Sequence, residues 1–343
     1  MDARPPVTRR RGRILPAALV LLVALVAACT GTSGAPATPT LAPVTPLPSA
    51  APTATPVAAF PVTLTDDEGT SVEIPADPEQ IVSLTPAATE TLFALGLGDR
   101  VVGKVEDFSL HPPEAASVPD VAKFGSVDVE KIVSLGTDLV IAGGSNFNPP
   151  EAIEKLRSLG VPTLVVFAPD VQTALADIEL IGAATGTPDE AATITAGIQA
   201  AFEEVAAATA DLPKPRVFYE LDASNGFFGP APDYVGTEMI KVAGGDPLTS
   251  GQDGVYQVEA EQIVAFDPEV ILLGDAAYGV TADQVKARSG WDVLTAVKND
   301  AIRPIDDVIV TRPGPRLGEG IRALALAIHP DLVLPGASAS PAP

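Results

Sequence analysis

Short, wholly apolar runs alternate along this chain with longer stretches in which apolar residues recur every three or four positions. The short runs predict buried strands, and the longer stretches predict amphipathic helices. Their alternation is typical of α/β proteins with parallel sheets. The predicted strands are Gln80–Leu84, Val101–Val105, Leu139–Ala142, Thr163–Phe167, Val217–Leu221, Val270–Leu273 and Val308–Val310.

Helix starts are marked by capping side chains directly before proline, in Thr85-Pro86, Asn148-Pro149 and Thr187-Pro188. The longest predicted helix, residues 188–208, has its apolar side chains on one face and would span about 32 Å, the breadth of a domain. Two lobes joined by one such helix should flex less than lobes joined by two or three strands.

One segment nearly repeats itself. VDVEKIVSLGTDLVIAGG, from Val127, returns without gaps as VEAEQIVAFDPEVILLGD, from Val258, with five of eighteen positions identical. Each copy predicts an acidic helix start, an apolar helix, a turn and a short strand, with Glu130 and Glu261 at the same place. Helix–turn–strand units also resemble one another by chance, but a repeat this long indicates two similar lobes that present the same acidic corner.

The N-terminus has the pattern of an export signal. Four arginines precede an apolar stretch, residues 14–28, that is too short for a comfortable membrane span. The stretch runs into Val26-Ala27-Ala28-Cys29, which resembles a bacterial lipobox, and Cys29 is the only cysteine. We expect residues 1–28 to be a lipoprotein signal peptide and Cys29 to be lipidated, with an ordinary signal peptide as the alternative.

Composition divides the rest of the chain. Residues 29–60 are rich in Pro, Thr, Ala and Ser without charges, which predicts an extended tether, and residues 333–343 predict a disordered tail. We expect an N-terminal lobe over residues 61–170, a helical linker with the long helix over 171–212, and a C-terminal lobe over 213–332.

The charge balance excludes some partners. The net charge of −23 becomes −27 once residues 1–28, with five arginines and one aspartate, are removed. So negative a chain is not expected to bind nucleic acid or to adhere electrostatically to an anionic membrane. It fits an extracytoplasmic domain held by lipid, or one with a basic partner.

Three segments together resemble one family. They are IVSLTPAATETLFALGLGDRVVGKVEDFSLHPPEA, the paired VDVEKI and VEAEQI, and TRPGPRLGEGIRALALAIHP. In order and spacing they resemble the vitamin B12-binding and iron–siderophore-binding proteins of ABC importers. The resemblance implies two Rossmann-like α/β lobes with parallel-rich sheets, joined by one long rigid helix, with ligand in the cleft between them. It also implies a monomer that captures a corrinoid outside the cell, where Cys29 would anchor it to the membrane, and delivers it to an ABC permease dimer.

By the same resemblance, one glutamate on each lobe docks on the permease, and these fall on Glu130 and Glu261. Both lie near a predicted helix start, where the dipole favours negative charge. A pseudo-symmetric pair suits a two-fold partner. Because exposed ion pairs are weak, they would set orientation more than affinity, and the alternative is that both only cap solvated helices.

The ligand residues implied by the resemblance come from loops after strands. Cobalamin-binding members carry a tryptophan at the position of Gly143, for which Phe147 is the nearest substitute here. Aromatic rings suit a corrin face because they bury a large flat area at low entropic cost, and an arginine suits polar substituents. Ordinary core packing is the alternative for each ring, and Trp291 is expected in the core. The candidates are Phe124, Phe147, Phe227, Phe228, Tyr256 and Arg312.

Other cargoes and other classes are open alternatives. Haem would need an axial Tyr or His, for which Tyr256 and Tyr278 are candidates, and a ferric siderophore often needs several cationic residues. The two isolated histidines argue against a metal site, and no resident cofactor is expected. The sequence lacks a nucleophile elbow, an H-E-x-x-H motif and a P-loop, so an extracytoplasmic enzyme is a remote alternative, as is a surface adhesin.

Overall fold

The computed structural model describes residues 60–109, 111–145, 147–249 and 257–334. The strands are β1 (Val62–Thr65), β2 (Ser71–Ile74), β3 (Ile81–Ser83), β4 (Val101–Val105), β5 (Asp120–Lys123), β6 (Ser126–Val127), β7 (Leu139–Gly143), β8 (Thr163–Val166), β9 (Arg216–Glu220), β10 (Phe227–Phe228), β11 (Asp246–Pro247), β12 (Gln257–Val258), β13 (Val270–Leu273) and β14 (Ile302–Pro304). The helices are α1 (Pro86–Ala94), α2 (Val129–Ser134), α3 (Pro150–Ser158), α4 (Val171–Ala184), α5 (Pro188–Thr209), α6 (Val235–Val242), α7 (Ala260–Phe266), α8 (Ala282–Lys286), α9 (Thr295–Lys298), α10 (Asp307–Thr311) and α11 (Leu317–Ile328). The 3-10 segments are Gly98–Arg100, Pro113–Ser117 and Gly274–Tyr278.

The N-terminal lobe is built on a six-stranded sheet in the order β6-β5-β4-β3-β7-β8. All neighbouring pairs are parallel except β5 and β6. Successive residues of each strand point to opposite faces, so Ile81 joins one apolar cluster and Val82 another. Because both faces are covered, the central strands are mostly apolar, with Ser83 in β3 and Lys104 in β4 as buried exceptions, and the sequence marks them clearly.

The C-terminal lobe contains a four-stranded parallel sheet in the order β11-β9-β13-β14. Val217 and Tyr219 face the cluster that continues from the first lobe, and Phe218 faces a separate cluster around Trp291. Trp291 is buried, as the sequence predicts. Two antiparallel pairs complete the described strands: β1 and β2 form a hairpin, and β10 pairs with β12 about thirty positions later in the sequence.

Helix α5 joins the lobes and contains 22 residues, about 33 Å at the usual helical rise. It packs against α4 from the N-terminal side and against α11 from the C-terminal side. Of the predicted apolar face, Ile198 and Val205 are buried, whereas Ile194 and Phe202 are half-buried. The fold class predicted from the sequence, two α/β lobes joined by one long helix, is confirmed.

The two copies of the repeat form the same structure. In each, a helix (α2 or α7) leads through a turn into a central strand (β7 or β13). The turn residues Gly136 and Asp267 stand 131 positions apart in the sequence and have φ values of 71° and 48°. Because left-handed backbone is uncommon outside glycine, its recurrence at equivalent positions supports two related lobes.

Three local predictions are wrong. Thr187 stands at the N-cap of α5, but its side chain makes no capping hydrogen bond. Val308–Val310 lies in helix α10, because Asp306 accepts a hydrogen bond from the Val308 N–H and starts a helix there, and the last strand is β14. Asn148 does not cap α3; its buried side chain links two strand ends instead. The predicted signal peptide, Cys29, the tether up to residue 59 and Tyr256 lie outside the described residues.

Candidate functional site

Strand order places the candidate site at the carboxyl ends of both sheets. In the N-terminal lobe the chain moves outward from β3 to β5 and then continues on the other side of β3, at β7. In the C-terminal lobe the same reversal lies between β9 and β13. Loops diverge at such a reversal and leave a crevice beyond the strand ends, which is where open α/β sheets bind ligands. The residues of interest follow these strands.

Three phenylalanines form a row on the N-terminal lobe. Phe124, at the turn between β5 and β6, is 79% exposed. Its ring lies 6.4 Å from that of Phe147, nearly perpendicular, and the Phe147 ring lies 6.3 Å from that of Phe167. The Gly125 N–H donates to the Phe147 carbonyl and joins the two loops. So large an exposed aromatic surface indicates a binding function rather than core packing.

Buried polar contacts fix the position of Phe147. The Asn148 side chain accepts from the Gly143 N–H at 2.7 Å and donates to the Leu84 carbonyl at 3.1 Å, which ties the ends of β7 and β3 together. A Cβ at Gly143 would lie 2.5 Å from Thr85 Cγ2 and 3.0 Å from Phe147 Cβ. No larger side chain fits at residue 143 without rearrangement, so the ring in this part of the cleft comes from Phe147.

An aromatic contact joins the two lobes. Phe108, after β4, and Tyr278, after β13, have ring centres 5.8 Å apart, and they are 70% and 63% exposed. The Arg312 guanidinium carbon lies 5.7 Å from the Phe108 ring centre. The lobes therefore meet at this contact, at the carboxyl ends of their sheets.

A buried ionic network lies beside this contact, and we call it the inter-lobe network: Glu90, Asp107, Arg312 and Arg316. Arg312 donates to both oxygens of Asp107, at 2.6 and 2.8 Å, and to Glu90 at 2.9 Å. Arg316 donates to Glu90 twice, at 2.8 and 2.9 Å. Burial acts to raise the pKa of Asp107, but hydrogen bonds from Arg312 and Ser109 hold that pKa below its usual value. The network therefore binds each arginine of one lobe to carboxylates of the other.

A second ionic group lies in the C-terminal lobe, around Glu220 at the end of β9. Arg288 donates to both oxygens of buried Glu220, at 2.5 and 2.7 Å, and its guanidinium carbon lies 4.6 Å from the Trp291 ring centre. Neither oxygen of buried Asp275 has a donor among the described residues. Burial, and next the charge of Glu220, raise the pKa of Asp275 to about 7. Asp275 is thus a second buried carboxyl beside the Glu220–Arg288 pair, without a hydrogen-bond donor of its own among the described residues.

Glu90 and Arg316 also line a groove of about 710 Å³ formed by α1, α5 and α11. Ile194 and Ile198 of the joining helix α5 form an apolar part of its wall, and His111 also lines the groove.

Among the described residues, no cluster of three or more His, Cys, Asp or Glu side chains is arranged to hold a metal ion. Within the same part of the chain, no helix is long and apolar enough to cross a membrane.

Glu130 and Glu261 occupy equivalent, exposed positions, each the second residue of its helix. The start of α2 is capped by Asp128, whose side chain accepts from the Lys131 N–H at 3.0 Å. Helix α7 instead begins with a capping box made by Glu259 and Gln262. Since other residues provide the caps, neither glutamate side chain is needed to start its helix.

The structure unites some predicted ligand residues and separates others. Phe124 and Phe147 lie together, and Arg312 lies where the lobes meet. Phe227 packs on Trp291 with ring centres 5.0 Å apart, and Phe228 is half-buried beside it in β10.

Sequence reasoning missed several residues at the site. Phe167 could have been found, because it directly follows an apolar strand. The partners of Arg312 could not, because Glu90 and Asp107 lie more than 200 positions away in sequence.

The comparisons with known proteins agree with this geometry. A family model described as Periplasmic binding protein matches residues 81–308. An uncharacterized ABC transporter substrate-binding lipoprotein of Bacillus subtilis is 35% identical to this chain, over 79% of this chain and 87% of its own length. A cobalamin-binding protein of Halobacterium salinarum is 30% identical, over 93% of this chain and 85% of its own length. The chain belongs to the periplasmic binding protein family.

Solved structures show the same fold. The periplasmic vitamin B12 binding protein of Vibrio cholerae superimposes with a TM-score of 0.64 at 26% identity, covering 74% of this chain and 97% of that one. The apo form of a periplasmic haem-binding protein from Roseiflexus sp. RS-1 gives 0.65 at 26% identity, covering 74% and 98%. This periplasmic binding protein is therefore an extracytoplasmic substrate-binding protein of the ABC importer class, which holds a small-molecule ligand and works with a permease. It is not an enzyme.

Proposed function

We propose that this protein captures a corrinoid in the cleft between its lobes and delivers it to an ABC import permease. The observation that carries this proposal is the exposed row of Phe124, Phe147 and Phe167 beside the Phe108–Tyr278 contact. Large flat rings bury such a surface efficiently. Relatives named as cobalamin-binding or vitamin B12-binding proteins support the choice.

Haem and ferric siderophores are the alternatives within the same importer class. Tyr278 is the described tyrosine exposed at the cleft, and a tyrosine ligand binds iron as the phenolate. Burial, and next the charge of Asp307, raise the pKa of Tyr278 above its usual value, which disfavours the phenolate. His111 lies at the groove along α5, and His329 follows α11, so neither is beside the row of rings. A corrinoid brings its own metal ligation and needs neither residue.

We further propose that the segments of the chain and three of its residues have the roles expected from the sequence. Residues 61–170 and 213–332 would be the two lobes and 171–212 their helical linker, consistent with sheets that lie within residues 81–166 and 216–304. Cys29 would carry the lipid anchor, and Glu130 and Glu261 would contact the permease dimer. Their equivalent, exposed positions at helix starts support this docking role.

An absorbance titration tests the cargo. Purified full-length protein is titrated with cyanocobalamin, dicyanocobinamide and haemin, and bound chromophore is followed after gel filtration. We expect the corrinoids to remain with the protein and haemin to be lost. Retention of none of the three would remove the tetrapyrrole proposal and leave a ferric siderophore as the cargo.

Docking is tested separately from ligand binding. In cells that depend on this importer, the Glu130→Ala, Glu261→Ala double variant should lose uptake while the purified variant binds corrinoid as the unchanged protein does. The control is Glu79→Ala with Glu114→Ala, which alters exposed acids outside the repeat. Uptake that survives the first double substitution would reject the docking assignment.

A further inference from the structure

The arginines where the lobes meet are already neutralised by the protein's own carboxylates. Arg312 gives three hydrogen bonds to Asp107 and Glu90, and Arg316 gives two to Glu90. The side chains of Arg312 and Asp107 are only 12% and 7% exposed. These charge-assisted bonds engage both terminal nitrogens of Arg312, so a carboxylate from outside cannot form a bidentate pair with those nitrogens while Asp107 stays in place.

Around the carboxyl end of β9 in the C-terminal lobe, carboxyl side chains outnumber basic side chains. Arg288 is held by both oxygens of Glu220, and Asp275 lies next to that pair with neither oxygen receiving a hydrogen bond from a described residue. Asp307, close to Arg312 in the sequence, accepts the Tyr219 hydroxyl at 2.6 Å. Asp307 also accepts from the Thr311 hydroxyl at 3.3 Å, so Asp275 is the carboxyl of this group that receives no hydrogen bond from a described residue.

One cation near the aromatic row has no ion-pair partner among the described side chains. Lys123 precedes Phe124 and is exposed. A single solvated ammonium interacts weakly with a ligand charge, in the range of exposed ion pairs. It does not offset the charge of the molecule, −23 over the whole chain, which repels anions at long range.

From this charge arrangement, and resting on the proposed function, we infer that the cleft selects chelates that are neutral or cationic and rejects chelates that bear carboxylates. A ligand carboxylate could reach Arg312 only by displacing Asp107, which would leave a buried anion without its partner. A neutral ligand amide does not compete with Asp107 for the charge of Arg312, so it needs no such displacement.

The test compares ligands of one shape and different charge. Full-length protein is titrated by calorimetry with cyanocobalamin and with its monocarboxylic acids, in each of which one propionamide is hydrolysed. We expect the acids that place a carboxylate in the cleft to bind about tenfold more weakly or worse. Asp107→Asn should reduce the difference in affinity between cyanocobalamin and these acids, since it frees one edge of Arg312. The control Asp233→Asn, an exposed residue, should leave it unchanged.

Equal or tighter binding of all the monocarboxylic acids would overturn the inference and show that Asp107 yields its place to the ligand. Three further ligands separate the inference about charge from the corrinoid proposal. If no corrinoid binds but the cationic siderophore ferrioxamine B does, the charge selection stands and the cargo proposal falls. If haemin or anionic ferric citrate binds in preference, the charge selection is wrong.

Discussion

At the scale of single residues, the buried carboxyl of Asp177 on α4 has the largest consequence for stability. Burial, and then the charges of Asp67 and Asp170, raise its pKa to about 9. Aspartate in an unfolded chain titrates near 3.9. The folded protein therefore holds this proton more tightly, so its contribution to stability is complete below about pH 4 and is lost as the pH rises through 9.

Asp177→Asn should remove this pH dependence, because asparagine imitates the protonated acid. We expect the variant to gain stability over the unchanged protein as pH rises from 5 to 9, by up to about 1.4 kcal/mol per pH unit. Urea midpoints measured across that range check it, with exposed Asp233→Asn as the control. Parallel curves for the unchanged protein and Asp177→Asn would show that residue 177 is ionised in the fold.

At the scale of elements, one side chain adds a link between the ends of β3 and β7, beyond the backbone ladder that pairs them. Asn148 is buried and pairs with both the Gly143 N–H and the Leu84 carbonyl. Asn148→Ala leaves two buried backbone groups unpaired, so we expect a loss of about 2–4 kcal/mol in the free energy of unfolding. Denaturant unfolding measures this free energy. The control Asn299→Ala, at an exposed helix end, should change the free energy of unfolding by less than about 0.5 kcal/mol. A similarly small change for Asn148→Ala would mean that water replaces the amide.

The elements also show what a sequence can predict. The central strands β4 and β13 have the predicted bounds, because strands covered on both faces are largely apolar; β13 is entirely so, and β4 has Lys104 as its one charged residue. The two-residue strands β10 and β12 have no such pattern, since their pairing depends on residues about thirty positions apart. At the site, Phe108 and Phe147 lie in loops that follow predicted strands, whereas the carboxylates that bind Arg312 come from the other lobe and leave no local signal.

At the scale of the whole molecule, the inter-lobe network should limit how far the lobes separate. Substituting Glu90→Gln and Asp107→Asn together leaves two buried arginines without anionic partners, and breaking buried pairs costs about 3–5 kcal/mol. We expect the ligand-free double variant to show a larger radius of gyration by small-angle X-ray scattering. The control is Glu204→Gln, which removes the ion pair between Glu204 of α5 and Arg322 of α11. This substitution should not change the radius of gyration. Identical scattering curves would mean that α5 alone fixes the lobe arrangement.

The central claim is that the aromatic row receives a corrinoid, and calorimetric titration of the full-length protein with cyanocobalamin tests it most directly. We predict binding of one molecule per chain, weakened about tenfold or more in the Phe124→Ala, Phe147→Ala double variant, because each ring loses contact area with the ligand. Leu159→Ala removes a comparably exposed apolar side chain after α3 and should bind normally. No binding by the unchanged protein, or unchanged affinity in the double variant, would contradict the account.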